Sequence, residues 1–278
     1  DNFYDRFGGL STAWFDQLTL ETKSKVFATV AGNHDYWAYG SPIVAVPDDQ
    51  FGNGHMQFYA MDAVSSSHSD VLSPPGGVPF LNFSIDPDKS KAGNRLPSAE
   101  NFFSYFKLGN AAFVLYSGGY EYSTTKTYFQ QGCAYLKEAK PDVAFLVGHW
   151  NYYAGGVMGC EKDMDVPDVY SEIKGYDGCA QLDAKDSLKY VMGHVHCNKV
   201  TEKDKGFMLA GQGMEGCGNF GVPYVDTSDG RVEIIYYNVQ DKTGTDEYDK
   251  IMACFKAHGP AKCKDLGTVW LNQTIGTK

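Results

Sequence analysis

Four of the seven histidines stand in a shared context. His34, His149, His194 and His196 occur in Gly32-Asn33-His34-Asp35, Gly148-His149 and Gly193-His194-Val195-His196, and each segment directly follows an apolar, β-prone run. Turn geometry accounts for a glycine or an asparagine at such a point, but nothing in it requires an imidazole. His55, His68 and His258 lack this setting. The bland alternative is four unrelated loop histidines, and the repeated strand-glycine-histidine order weighs against it. Imidazole and carboxylate or carboxamide groups gathered together suit zinc, iron or manganese; so nitrogen-rich a set is poor for calcium or magnesium. His194 and His196, two apart in an extended segment, share one face of a regular strand. A turn at the strand end could aim both at one ion or give one to each of two. Two ions about 3.5–4 Å apart form a clamp for in-line attack on phosphorus.

Such residues need rigid elements to bring them to one edge. Runs rich in Val, Phe, Tyr and Ile predict strands over Val26 to Val30, Phe102 to Leu108, Ala111 to Tyr116, Val143 to Val147, Leu188 to Met192, Gly206 to Ala210 and Arg231 to Asn238. Helices are predicted over Ser11 to Leu18 and Thr124 to Lys140, the second stopping before Pro141. Strands that alternate partly with helices and partly with strands imply a mixed α/β sandwich. Pro42 to Ser98, rich in Gly, Pro, Ser and Asp, reads as a long insertion.

Composition narrows the function classes. A formal net charge of -10 gives no basic face for a nucleic-acid backbone. No run of 18 or more apolar residues occurs, so no membrane span is expected. The seven cysteines form no CxxC pair, which disfavours a zinc ribbon and favours disulfides. Two sequons, at Asn82 and Asn272, point to N-linked glycans. Together these features place the protein in a secreted or lumenal setting, extracellular, vacuolar or lysosomal. Disulfides are expected between Cys254 and Cys263, across the turn-forming Lys256 to Pro260, and between Cys160 and Cys179.

Asp1-Asn2-Phe3-Tyr4, Gly32-Asn33-His34-Asp35, Gly148-His149 and Gly193-His194-Val195-His196, in this order, resemble the motif series of the calcineurin-like metallophosphoesterases. The D-x-x-Y form of the first block is similar to that of the small purple, tartrate-resistant acid phosphatases. The resemblance spans residues 1 to about 220 and implies a metallophosphoesterase-type β-sandwich of mixed sheets flanked by helices, with the metal site on strand-end loops. The chain divides into a metallophosphoesterase-like domain over 1–240, with N-terminal strands expected to be missing, and a C-terminal extension over 241–278 that a disulfide could tie down. The implied cofactor is a dinuclear centre of Fe(III) with Fe(II), Zn(II) or Mn(II). Asp1 would bridge the ions, Tyr4 and His196 would bind the trivalent iron, and Asn33, His149 and His194 would hold the divalent ion. His34 would be the catalytic group beside the phosphate, with Asp35 orienting it or a ligand. The implied activity is hydrolysis of a small phosphomonoester or a phosphoprotein at acid pH.

The sequence departs from that pattern twice. The family's first aspartate block has no counterpart, which leads us to expect a strand with a metal-binding aspartate upstream of Asp1. The stretch Trp150 to Gly159 contains no histidine where the family carries a second one that contacts substrate; Asn151, Tyr152 or Tyr153 could donate hydrogen bonds there. Both departures keep open a non-catalytic, structural protein on the same fold. Trp37 and Trp150 read as core packing beside strand ends. The glycines around Gly211 and Gly216 lack the lysine and spacing of a phosphate-binding P-loop.

Overall fold

The computed structural model describes residues 9–32, 35, 103–118, 122–149, 165–194, 197–209, 221–239 and 246–275. Six strands, β1 (Ser104–Leu108), β2 (Ala111–Leu115), β3 (Val143–Gly148), β4 (Leu188–Met192), β5 (Lys199–Glu202) and β6 (Gly206–Met208), make one sheet in the order β1-β2-β3-β4-β6-β5. Its four inner strands β2, β3, β4 and β6 run parallel, while β1 and β5 are antiparallel edges. A second, antiparallel sheet has the order β7-β8-β9, from β7 (Gly221–Asp226), β8 (Arg231–Asn238) and β9 (Thr268–Thr274). The helices are α1 (Gly9–Gln17), α2 (Leu20–Lys23), α3 (Tyr122–Ala139), α4 (Val166–Ile173), α5 (Cys179–Asp183) and α6 (Asp246–His258).

The inner strands read AAFVL, VAFLVG and LKYVM, apolar nearly throughout, as parallel strands covered on both faces must be. Alternate residues divide between two cores. Ala112, Val114, Ala144, Leu146, Leu188 and Met192 pack with Phe129, Leu136, Val169 and Ile173 of α3 and α4. Ala111, Val143, Phe145 and Phe207 pack with Val232, Ile234 and Leu271 of the second sheet. The mixed α/β class predicted by the sequence is therefore present, as two sheets with helices over the outer face of the larger one.

Val26 to Val30 forms no strand. A β-prone run becomes a strand only through a ladder with a neighbour, and this one belongs to neither sheet. It keeps a two-residue alternation nonetheless. Val26 and Ala28 line an apolar cavity of 330 Å³ with Phe113, Phe145 and Trp270, and Phe27 packs on Trp14 and Phe15.

Cys179 bonds to Cys133, not to Cys160. The α3–α5 contact brings the two Cα atoms to 5.1 Å. Gly178 makes this approach possible: it has φ 90°, and a Cβ there would lie 2.1 Å from the Cys133 carbonyl oxygen. Cys254 and Cys263 are bonded as expected, across a turn through Gly259 at φ 74°. The 241–278 stretch supplies β9, which pairs along β8. Asn272 is exposed on that strand; Asn82, Cys160 and the Pro42 to Ser98 insertion lie outside the described residues. Among the described residues no helix is long and apolar enough to cross a membrane.

Candidate metal centre

Parallel pairing brings the carboxyl ends of β2, β3 and β4 to one edge of the sheet, the edge at which ligands bind in open α/β sheets. Gly148 is in register with Met192, so His149 follows β3 beside Gly193 and His194, which follow β4. The Gly193 N–H donates to the Gly148 carbonyl at 3.2 Å, extending the ladder one step past the strands.

Both glycines have a steric reason. A Cβ on Gly148 would lie 2.6 Å from the Tyr116 ring and 2.7 Å from Val166 Cγ2. A Cβ on Gly193 would stand 3.1 Å from His149 Nδ1. A side chain at either point would displace the histidine segment. His194 adopts φ 76°, a left-handed conformation that costs a residue with a Cβ on the order of 1 kcal/mol. Strain of this kind at a strand end is a mark of function when the side chain it aims has chemistry to do.

The aim is toward His149. Its Nε2 lies 3.2 Å from Nδ1 of His194, with the rings edge to face at an interplanar angle of 76°. Without an ion, one nitrogen must carry the shared proton while the other accepts it. With an ion, both lone pairs can point at it. Metal–nitrogen distances of about 2.0–2.1 Å separate two ligand nitrogens by about 2.9 Å at right angles and about 3.4 Å in a tetrahedron. The observed separation falls inside that range, so the pair fits one borderline-soft divalent cation.

Asp35, fully buried, sits at the end of the first histidine segment. Its Oδ2 accepts from the Gly32 N–H at 2.6 Å, and its own N–H donates to the Gly32 carbonyl at 3.2 Å. These two bonds close a tight turn across Gly32 and Asp35, with Asn33 and His34 between them in the chain. The carboxylate thus fixes the backbone of the turn. Asp1, Tyr4, Asn33, His34 and His196 lie outside the described residues. Cys197, next after His196, is buried and disulfide-bonded. Among the described residues, no three of His, Cys, Asp and Glu gather at one cation site.

Two buried polar groups lie near this edge, and Tyr116, expected from the aromatic run Tyr116 to Tyr122 to pack at the surface, is one of them. Tyr116 follows β2 and is 2% exposed; burial above all, then the Asp165 and Asp168 carboxylates, holds its phenol protonated well above the usual range. Asp165, also 2% exposed, opens α4. Its carboxyl is pushed up to about 6, chiefly by burial and then by the Asp168 charge. The helix-start pattern Asp-Val-Pro is the one signal that marks Asp165 in the sequence.

Compared with protein families, with curated proteins and with solved structures, the chain has no match.

Proposed function

We propose that this protein is a metal-dependent acid phosphatase acting on phosphomonoesters, of the metallophosphoesterase kind that its motif series resembles. The observation that carries this reading is the His149–His194 pair: two ring nitrogens 3.2 Å apart at the ends of adjacent parallel strands, one on strained backbone. A structural role does not call for that arrangement, because a core histidine is satisfied by an ordinary donor or acceptor.

In this reading Asn33, His149 and His194 would hold a divalent ion, and Tyr4, His196 and Asp1 would hold a trivalent iron beside it. The ions supply positive charge for the phosphate and lower the pKa of the attacking water. His34 gives a proton to the leaving oxygen, a task for which an imidazole is suited at mildly acidic pH. Asp35 holds the turn that presents it. The Cys133–Cys179 and Cys254–Cys263 disulfides support an oxidising, secreted or lumenal setting. Asn272, exposed in β9, is available for an N-linked glycan.

Metal analysis of the purified protein, combined with hydrolysis of a chromogenic phosphomonoester, tests the reading. His194→Ala is expected to lose both metal and activity, and His34→Ala to keep metal and lose turnover. A parent protein that binds no transition metal, or binds it without hydrolysing any phosphomonoester, would overturn the enzyme reading in favour of a structural protein.

A further inference from the structure

Asp165, the N-cap of α4, carries a carboxyl oxygen for which the described residues provide no donor. Asp165 is 2% exposed, its side chain makes no capping bond to the helix it opens, and its Oδ2 has no hydrogen-bond partner among the described residues. An N-cap aspartate ordinarily accepts from a backbone N–H of the first turn. Here only its main-chain carbonyl takes part, accepting from Val169 N–H at 2.9 Å. The charged group that acts on it is the Asp168 carboxylate, from α4 itself, and Asp165 in turn raises the Tyr116 phenol at the end of β2; neither neighbour offers a positive charge.

A buried carboxylate without a donor either keeps a proton or makes its surroundings give way. The positive end of a helix favours the ionised form, yet α4 has only eight residues, and burial with the Asp168 charge prevails, raising the group to about 6. We propose that the start of α4 is an acid-set latch, which packs against Tyr116 and the end of β3 while Asp165 carries a proton and loosens when that proton is lost to water. Val166, the next residue, is the side chain that a Cβ on Gly148 would meet at 2.7 Å. Asp165 is therefore a positioning residue for the strand end that carries His149. The latch stands whether or not the site hydrolyses phosphate; joined to that activity, it would assemble this wall of the site on the acid side.

Amide hydrogen exchange tests it on the full chain between pH 4 and 7.5, corrected for the intrinsic rise of exchange with pH, with α3 as internal reference. The carboxyl has an ordinary value of 3.8 and a packed value of about 6. Opening of the latch is thus favoured about tenfold per pH unit between those limits and levels off above them. Protection of the Val169 and Tyr170 amides should fall by about 100-fold relative to α3 across that window. Asp165→Asn keeps the size and the capping ability but cannot ionise, and its α4 protection should stay flat; Asp165→Ser serves if that variant folds poorly. Protection of α4 that tracks α3 at every pH in the parent protein, or the same fall in Asp165→Asn, would overturn the proposal.

Discussion

His194 Nδ1 and His149 Nε2 stand 3.2 Å apart because β3 and β4 are parallel neighbours in register through Gly148 and Met192. The pairing sets both ring nitrogens on one side of the sheet edge, and the left-handed backbone at His194 completes the turn of its ring.

That strain can be measured apart from the metal. Glycine adopts positive φ freely and alanine does not. In metal-free protein, His194→Gly should be more stable than His194→Ala by about 1 kcal/mol, although both lose the ligand. Urea unfolding of the two apo variants decides it; equal midpoints and slopes would show that the left-handed turn is not held in solution.

Zinc affinity offers a second check on the pair. Removing even a group that only orients a ligand weakens metal binding by about 10–100-fold, and His149→Ala removes a proposed ligand itself. Competition titration with a chromophoric chelator should show a loss of about 100-fold or more. An unchanged affinity would place the cation elsewhere.

Much of this arrangement was readable in the sequence, and the reasons are physical. Inner strands such as Val143–Gly148 and Leu188–Met192 announce themselves because both faces are buried and the run is apolar throughout. The glycine-histidine pairs mark where they stop. Edge strands carry weaker signals: Lys199–Glu202 is short and mostly polar, and Gly221–Asp226 holds Pro223, tolerated only because β7 lies at the edge of its sheet. At Val26 to Val30 the propensity for strand is there, but among the described residues the run joins neither sheet. The Cys133–Cys179 bond was not legible because it depends on α3 packing against α5, over a sequence separation of 46. The electrostatic link between Asp165 and Tyr116 likewise joins residues remote in sequence.

Gly148→Ala should destabilise the fold as well as disturb the site. The added methyl would meet the Tyr116 ring at 2.6–2.8 Å and Val166 Cγ2 at 2.7 Å, and both neighbours are buried. Overpacking of this kind costs about 1–3 kcal/mol. Chemical denaturation would show it, and a loss below about 0.5 kcal/mol, the scatter of neutral surface changes, would mean that this end of β3 is loosely packed.

Lys189 predicts an alkaline effect. It is 1% exposed in β4, and its Nζ donates to the Asp204 carbonyl at 2.5 Å and to Gln273 Oε1 at 2.7 Å. Burial lowers its pKa to about 8, against 10.5 for the free side chain. Between those values the unfolded chain binds more protons than the native one, so stability from this group rises with pH and the desolvation cost present below 8 disappears. Relative to Lys189→Met, which has no such titration, the parent protein should gain about 2–3 kcal/mol from pH 7.5 to 10.5. Unfolding curves at both pH values that shift equally in the two proteins would refute the assignment.

The second sheet contains a like-charge pair that should collapse without its lysine. Asp226 of β7 and Glu233 of β8 are directly opposite in the antiparallel register, a placement that ordinarily destabilises a sheet. Lys264, just before β9, resolves the conflict. Its Nζ donates to Asp226 Oδ2 at 2.9 Å and to Glu233 Oε2 at 2.5 Å, and it stands 5.9 Å from the centre of the Tyr224 ring. The two carboxylates are only 20% and 19% exposed, so water screens them weakly. Lys264→Ala should therefore cost about 1–2 kcal/mol, more than an exposed ion pair, because it removes one cation and leaves two carboxylates facing each other. In an Asp226→Asn, Glu233→Gln background the same substitution should cost less than about 0.5 kcal/mol, and the difference is the coupling energy of the cluster. Acid supplies an independent readout. The lysine bond, with help from Ser228, holds the Asp226 carboxyl at about 2 instead of 3.8. Its contribution is complete above 3.8 and is lost as pH falls toward 2. The penalty of Lys264→Ala should accordingly shrink over that interval, and a penalty that stays constant down to pH 2 would show that Lys264 acts by packing on Tyr224 and not by charge.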